Sequence, residues 1–148
     1  MAAHHCRISQ AAAIAICDAL VDLLDAGTPP GNLIIYTGTE PANCNASAGT
    51  EVATCVLDDT AAYAAASYNS GTGCAEAELT ATATCASATG NASAVTYFRL
   101  CNAAGTAVLQ GTCSATSGDD LVLTGAVIVA AAEVNVTSMV VAVPINQA

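Results

Sequence analysis

Two histidines are the side chains of this 148-residue chain best suited to acid–base chemistry at neutral pH. His4 and His5 both precede the first predicted element, so neither is expected to act as a general base or as part of a metal site. No C-x-x-C spacing and no glycine-rich phosphate loop accompanies them. We therefore predict no catalytic residue, no metal site and no cofactor, and a protein that is not an enzyme.

Carboxylates occur as short clusters. Asp58-Asp59 and Asp119-Asp120 lie in predicted loops without the spacing of an EF-hand, so turn formation and solvation are favoured over a Ca²⁺ site. Glu76 and Glu78 alternate with alanine on one side of a predicted strand and are expected to protect a sheet edge from aggregation.

Cysteine is unusually frequent, with eight residues. Cys6 and Cys17 would lie about 16 Å apart on one predicted helix. Cys74 and Cys85 would bracket about 35 Å of extended strand, so neither pair is expected to close. Two interpretations remain open: a partial set of disulfides, or small core residues beside alanine. The others are Cys44, Cys55, Cys101 and Cys113.

The charge balance restricts the partners of the protein. The chain has no lysine, two arginines (Arg7 and Arg99) and twelve carboxylates, for a formal net charge of −10. Phosphate backbones and anionic membrane surfaces attract basic proteins, so we predict that this protein binds neither nucleic acid nor membranes.

The N-terminal segment does not have the pattern of a secretory signal peptide, and this predicts the compartment in which the protein is made. Asp18, Asp22 and Asp25 interrupt its apolar run, and His4-His5-Cys6-Arg7 makes a poor basic start for a signal peptide. No stretch has the length of apolar residues that a membrane span needs. We expect synthesis in a cytoplasm, with thiols that are reduced at first.

Residues 6–26 are predicted to form one amphipathic helix, ended by Gly27 and Pro29-Pro30-Gly31. The helix could pack on its own domain or dock as an arm on a neighbour. Its predicted buried face consists of Ile8, Ala12, Ile16, Ala19, Leu20 and Leu23.

Strict alternation of apolar and polar residues over positions 75–85 predicts a strand with one wet face. Residues 61–73 are ambiguous and include a helical turn as one alternative. Apolar positions change parity within 133–143, which predicts a bulge near Thr137 and Ser138 or a change to two-sided burial. Further strands are predicted at 32–37, 51–57, 94–101, 107–113, 121–123 and 126–130.

These elements predict a mainly β protein: a β-sandwich or jelly-roll-like domain of about seven or eight strands over residues 32–144, preceded by the helix, in one domain spanning 1–148. The 35 alanines and the aromatic fraction of 3% give such a domain a thin core. Thin cores often need cross-links or assembly with copies or partners.

Six short motifs span most of the chain: Arg7-Ile8-Ser9, residues 32–41, Thr96-Tyr97-Phe98-Arg99-Leu100, residues 105–111, residues 117–121 and residues 134–138. Together they resemble small virion proteins of tailed bacteriophages. The resemblance implies a β-sandwich that sits on the particle as a capsid decoration or cement protein, with no catalytic residues to transfer. The cysteine content departs from the pattern of that family.

The resulting functional expectation is a non-enzymatic structural protein that binds the outer surface of a phage capsid and stabilises it. Its predicted partners are the major capsid protein and further copies of itself, and its predicted location is the virion surface. The alternatives are a neck, tail or fibre component, or a receptor- or carbohydrate-binding β-sandwich. For sugar stacking, Tyr63, Tyr68 and Tyr97 are the aromatic candidates.

Overall fold

One helix and ten strands make up the computed structural model, which describes residues 8–28, 30–58 and 61–145. A seven-stranded curled sheet has the order β8-β7-β6-β1-β2-β5-β9, and a three-stranded sheet has the order β10-β4-β3. Neighbouring strands are antiparallel except the parallel pair β7–β8. The elements are α1 (Gln10–Asp25), β1 (Asn32–Thr37), β2 (Thr50–Val56), β3 (Ser67–Asn69), β4 (Cys74–Glu78), β5 (Ala83–Cys85), β6 (Val95–Cys101), β7 (Ala107–Ser114), β8 (Leu121–Val122), β9 (Val134–Val136) and β10 (Val140–Pro144).

The prediction of a mainly β fold with one N-terminal helix is confirmed, although the strands number ten. The bounds of β1 agree with the prediction, and β2, β6, β7 and β8 agree within one residue at each end. The ambiguous residues 61–73 contain the short edge strand β3, and a single bridge pairs Tyr63 with Leu79.

The helix starts at Gln10 because the Ser9 hydroxyl caps it, accepting a hydrogen bond from the Ala12 amide at 3.2 Å. It packs on its own domain, against β4 and β10. The predicted buried face was wrong: Ile16 and Leu23 are 44% and 51% exposed. The residues that are buried instead are Ala13, Cys17, Val21 and Leu24.

Two aspartates explain this rotation of the helix. The Asp18 carboxylate accepts a hydrogen bond from the Ala66 amide at 2.7 Å, and Asp25 accepts one from the Ala62 amide at 2.9 Å. Both carboxylates satisfy backbone donors of the segment before β3, so this side of the helix faces protein and not solvent. Helical periodicity alone places Asp18 and Asp25 off the predicted apolar face and does not indicate these contacts.

The eleven-residue strand predicted at 75–85 was wrong as one element. It divides into β4 in the small sheet and β5 in the large sheet. The predicted alternation persists across the break, since Ala75, Ala77, Ala83 and Cys85 are all buried. At the bend, the Thr80 amide donates to the Ala62 carbonyl oxygen at 2.9 Å, which takes the chain out of the small sheet.

Residues 133–143 divide in the same way, into β9 in the large sheet and β10 in the small one. β9 pairs with β5 and β10 pairs with β4, so the two segments form one bent ribbon that crosses both sheets. The register of the ribbon shifts by one residue between Ala83↔Val136 and Glu78↔Val140. The parity change in the sequence therefore marks the crossing between sheets, with buried Val136 before it and buried Val141 after it.

Residues 126–130 do not form the predicted strand. They run beside residues 88–95 and are joined to them by scattered backbone hydrogen bonds, among them Asn91 to Ile128 at 2.9 Å and Val95 to Ala126 at 2.8 Å. The irregular spacing of these bonds prevents a regular ladder.

A single hydrophobic cluster joins the helix and both sheets. Its largest fully buried members include Leu24, Leu33, Ile35 and Leu100, while much of the remainder is alanine and cysteine. Within the described residues, no helix has the length and apolar character needed to cross a membrane.

Gly90 allows the backbones of 88–95 and 126–132 to approach. It has a φ of 72°, and a Cβ there would lie 2.1 Å from the Ala130 nitrogen. We predict that Gly90→Ala lowers the free energy of unfolding by about 3 kcal/mol or more, since both a left-handed conformation and a backbone clash are imposed.

Gly105→Ala is the matched control, because Gly105 has a φ of 78° and nothing within 4 Å of the added carbon. Its expected cost is only about 1 kcal/mol. Urea unfolding of both variants measures the difference. Equal costs would show that the close approach at Ala130 does not constrain the fold.

The helix contact at Asp25 predicts a pH dependence. Burial raises the pKa of Asp25, although the backbone amides of Ala62 and Tyr63 oppose the shift. A raised pKa in the folded state means that wild-type stability falls as pH rises from the unfolded pKa through the folded pKa, and is constant above it. Asp25→Asn stays neutral, so we expect its stability relative to wild type to increase over that window.

Unfolding free energies measured between about pH 3.5 and pH 7 test this prediction. Comparing Asp25→Asn with wild type at each pH isolates this carboxyl, because the two proteins share every other titratable group. A difference between Asp25→Asn and wild type that does not vary with pH would contradict it.

Candidate functional site

The predicted acidic pairs have structural roles where they are described. The Asp120 carboxylate accepts hydrogen bonds from the Thr112 amide at 2.8 Å and the Thr112 hydroxyl at 2.9 Å. Asp119 accepts a hydrogen bond from the Ser114 hydroxyl. Asp58 accepts one from the Ala61 amide at 3.3 Å, and Asp59 lies outside the described residues.

Glu76 stabilises the hairpin formed by β3 and β4. Its carboxylate accepts hydrogen bonds from the Thr72 hydroxyl at 2.5 Å and the Asn69 side-chain amide at 2.8 Å. These bonds hold the pKa of Glu76 below its usual range. Glu78 is exposed nearby, but β4 lies between β10 and β3, so the prediction that these glutamates protect a sheet edge was wrong.

Seven of the eight cysteines lie within the described residues, and all seven are free thiols; Cys6 lies outside them. Burial raises the pKa of Cys17, Cys55, Cys101 and Cys113. Thiols with raised pKa values are poor nucleophiles, so these side chains are suited to the core and not to catalysis.

The described residues give little support to a metal site or to a sugar-binding surface. Over residues 8–28, 30–58 and 61–145, no cluster of three or more His, Cys, Asp or Glu residues could hold a metal ion; His4 and His5 are outside these ranges. Of the three aromatic candidates, Tyr63 and Tyr97 are buried, which corrects the expectation of exposed rings. Tyr68 is 39% exposed.

Arg99 is the basic side chain of the described residues, and it is only 5% exposed. It lies on the outer side of β6, beneath the segment 38–49, which we call the outer loop. Its Nη2 donates to the Ala46 carbonyl oxygen at 3.0 Å and to the Asn43 carbonyl oxygen at 3.5 Å. Its Nε donates to Gln110 Oε1 at 3.0 Å.

Gln110 extends this network. Its side-chain amide donates to Glu40 Oε1 at 3.0 Å and to the Pro41 carbonyl oxygen at 2.7 Å. The far end of the outer loop is held by the Gly49 amide, which donates to the Tyr97 hydroxyl at 2.6 Å. The whole outer loop is therefore fixed across the large sheet by side chains of β6 and β7.

Two stacked rings complete the layer beneath the outer loop. Tyr36 and Tyr97 have ring centroids 4.9 Å apart and nearly parallel planes at 10°, and the Arg99 guanidinium lies 6.0 Å from the Tyr97 ring centroid. Burial raises the pKa of Tyr36 to about 12. This layer uses its polar groups internally and leaves the described surface without an accessible cation.

The strongest candidate for a functional surface is apolar. Val122, Val127 and Val129 are 52%, 47% and 63% exposed on the segment after β7. They border a cleft of about 340 Å³ that we call the valine cleft. Its other lining residues include Leu123, Thr124, Ala132, Glu133, Asn135, Thr137 and Ser138.

Local structure explains why the valines point outward. Ile128 is buried between Val127 and Val129, and its carbonyl oxygen accepts from the Asn91 amide. At the other end, the Leu123 amide donates to the Ser114 carbonyl oxygen at 2.8 Å. With Ile128 turned inward as the anchor, the alternation of an extended chain directs both flanking valines to solvent.

Chemically, the valine cleft can bury apolar groups and offer a few neutral hydrogen-bonding groups. Its carboxylate, Glu133, accepts a hydrogen bond from the Asn135 side-chain amide at 2.6 Å. Its volume is at the small end of the range for small-molecule pockets. Exposed apolar surface of this kind is typical of contact with another macromolecule.

The chain matches no protein-family model, no curated protein and no solved structure. The arrangement of residues in the described part of the chain is therefore the basis for a functional proposal.

The sequence pattern predicted neither the Arg99 network nor the valine cleft. Arg99 lies within the predicted strand 94–101, but the pattern does not identify the outer loop as its partner. The valines were assigned to strands, where apolar residues are normally covered. A detectable signal was the run Val127-Ile128-Val129, since three consecutive apolar residues cannot all face one core in extended chain.

Arg99 can be tested as the anchor of the outer loop. Arg99→Met keeps an apolar stem but removes the hydrogen bonds to Asn43, Ala46 and Gln110, so we expect a loss of about 2 kcal/mol in unfolding free energy. Limited proteolysis should then cut within residues 38–49, which the wild type protects.

Tyr97→Phe is the matched variant, because it removes only the bond at Gly49 and should loosen only that end of the loop. Hydrogen exchange of the loop amides separates the two effects. If Arg99→Met leaves cleavage and exchange across 38–49 unchanged, the guanidinium is not the anchor.

Proposed function

We propose that this protein is a non-enzymatic virion structural protein that binds the outer surface of a tailed-phage capsid and stabilises the shell, working as a decoration or cement protein. The observation that carries the proposal is the valine cleft: three exposed valines on an anchored segment, where a partner would bury apolar area. At roughly 25 cal/mol per Å² of apolar surface, such a patch can contribute substantially to binding.

The structure behind the cleft suits a protein that reinforces a capsid shell. Ile128 and the hydrogen bonds to Ala88, Asn91 and Val95 tie the segment to the body of the domain. A pre-ordered surface loses little entropy on binding, so more of its contact energy becomes affinity.

Charge supports a protein partner over a nucleic acid. The formal charge of −10 and the burial of Arg99 leave the described surface acidic or neutral. Phosphate recognition requires accessible basic groups. The resemblance of the sequence motifs to phage virion proteins then favours the major capsid protein as the partner, with further copies of this chain beside it.

The proposal is tested on particles that lack this protein. We expect such particles to lose a layer of surface density and to open at lower temperature, and added wild-type protein to restore both. The double substitution Val127→Asp/Val129→Asp should fold, because both positions are exposed, yet bind at least tenfold more weakly, since charge in an apolar contact is costly.

Val140→Asp is the control, because Val140 is 46% exposed on β10 and does not line the cleft. It should restore the particles as wild type does. Density confined to one vertex or to the tail would favour the neck, tail or fibre alternative. Particles of unchanged density and heat resistance without the protein would overturn the capsid proposal.

A further inference from the structure

A row of side chains crosses the inner face of the large sheet and contains two cysteines. Strand pairing joins Leu109 to Leu100, Leu100 to Leu33 and Leu33 to Cys55, while Cys85 pairs with Val134 on the far side. Between these two parts, β2 and β5 pair in antiparallel register at Val56 and Thr84. One step along that ladder places Cys55 directly opposite Cys85.

Burial agrees with this register. Cys55 is 0% exposed and Cys85 is 7% exposed, while Val56 and Thr84, one step along, both face solvent. The two cysteines therefore project from the same face of the sheet into the core. The Cys55 thiol reaches across β5 towards the Val134 carbonyl oxygen, 3.8 Å away.

We infer that Cys55 and Cys85 form a cross-strand disulfide under oxidising conditions, which joins β2 to β5. Directly opposed residues of an antiparallel pair have Cα atoms about 4.5–5.5 Å apart. Disulfides span Cα separations of about 4.4–6.8 Å, so the strands need not move apart or slip for the bond to form. This inference does not depend on the proposed function.

The reaction is thiol–disulfide exchange with a small disulfide such as oxidised glutathione. One cysteine sulfur attacks the small disulfide and releases one reduced glutathione, and the second cysteine then displaces the other. Two protein thiols are oxidised, one disulfide is reduced to two thiols, and the S–S bond links Cys55 to Cys85.

The environment of the pair makes the exchange slow in both directions. Burial, together with the neighbouring Cys85 side chain, raises the pKa of the Cys55 thiol to about 12, although the Cys85 backbone amide opposes the shift. Since the thiolate is the attacking species, the folded reduced protein should oxidise slowly. Once formed, the disulfide is shielded from reductants, because Cys55 is 0% exposed and Cys85 is 7% exposed.

The position of the bond gives it a structural consequence. β5 has only three residues, and its register with β2 is recorded at the single pair Val56↔Thr84. Residues 56–84 between the two cysteines include the whole of β3 and β4, so the bond would close a long loop through the small sheet. Cross-links that close long loops restrict the unfolded chain most.

Peptide mapping of wild-type protein tests the inference directly. The reduced, folded protein is equilibrated with oxidised and reduced glutathione in mild urea, free thiols are alkylated, and the chain is digested at acidic and aromatic residues, because lysine is absent. Cleavage after Glu51 and before Asp58 isolates Cys55, and cleavage after Glu78 and Tyr97 isolates Cys85. We expect these two peptides, 52–57 and 79–97, to be recovered joined.

Thermal unfolding supplies the second measurement. The oxidised protein should melt about 5–10 °C above the reduced protein. Cys55→Ala and Cys85→Ala should each abolish this difference. Cys113→Ala should retain it, because Cys113 is equally buried and its pKa is also raised to about 12, but its recorded neighbour on β8 is Leu121.

Recovery of Cys55 or Cys85 alkylated, joined to glutathione, or joined to any other cysteine as the main product would overturn the inference. The stabilising role of the bond would be overturned by an oxidised protein that contains the linked peptides yet melts at the same temperature as the reduced protein. The wild-type map requires no substitution and is decisive even if an alanine variant does not fold.

Discussion

Close approach between surfaces lined by small side chains is the constraint on which the rest of this fold depends. Ala13 and Cys17 of the helix and Ala75 and Ala77 of β4 are all fully buried where α1 packs on the small sheet. Small side chains bring backbones together but bury little area per residue. Stability must then depend on hydrogen-bonding every buried backbone group. Asp18 and Asp25 serve this need, since their carboxylates accept hydrogen bonds from main-chain amides beside this interface.

The same constraint shapes the bent ribbon formed by β4, β5, β9 and β10. A long strand lined by Ala75, Ala77 and Ala83 has no large side chain to hold it in one flat sheet. It bends at Thr80, joins both sheets and keeps its alternation, so one ribbon supplies core residues to each layer. The bend also delivers Cys85 to β2. A straight strand would have left Cys55 without that neighbour.

Period-two patterns were sufficient to predict the fold class and most strand positions, because alternation reports burial directly. They could not predict where a strand changes sheets, since residues 75–85 alternate identically before and after the bend. Nor could they predict the helix face: Asp18 and Asp25 look like solvent residues until their backbone donors, 48 positions along at Ala66 and 37 positions along at Ala62, are in place. Arg99 likewise needs the outer loop to explain its burial. Long-range pairing decides each of these cases.

The candidate site escapes sequence interpretation for a related reason. Residues such as Val127, Ile128 and Val129 have the composition of a strand covered on both sides, as in a buried sheet. Within the described part of the chain only the Ile128 side is covered, and both valines face solvent. When a segment with this apolar sequence is covered on one side only, its other side is an apolar surface that a partner can bury. This mismatch between local pattern and observed burial is a more specific argument for an interface than exposed area alone, because single exposed apolar residues are common on any protein.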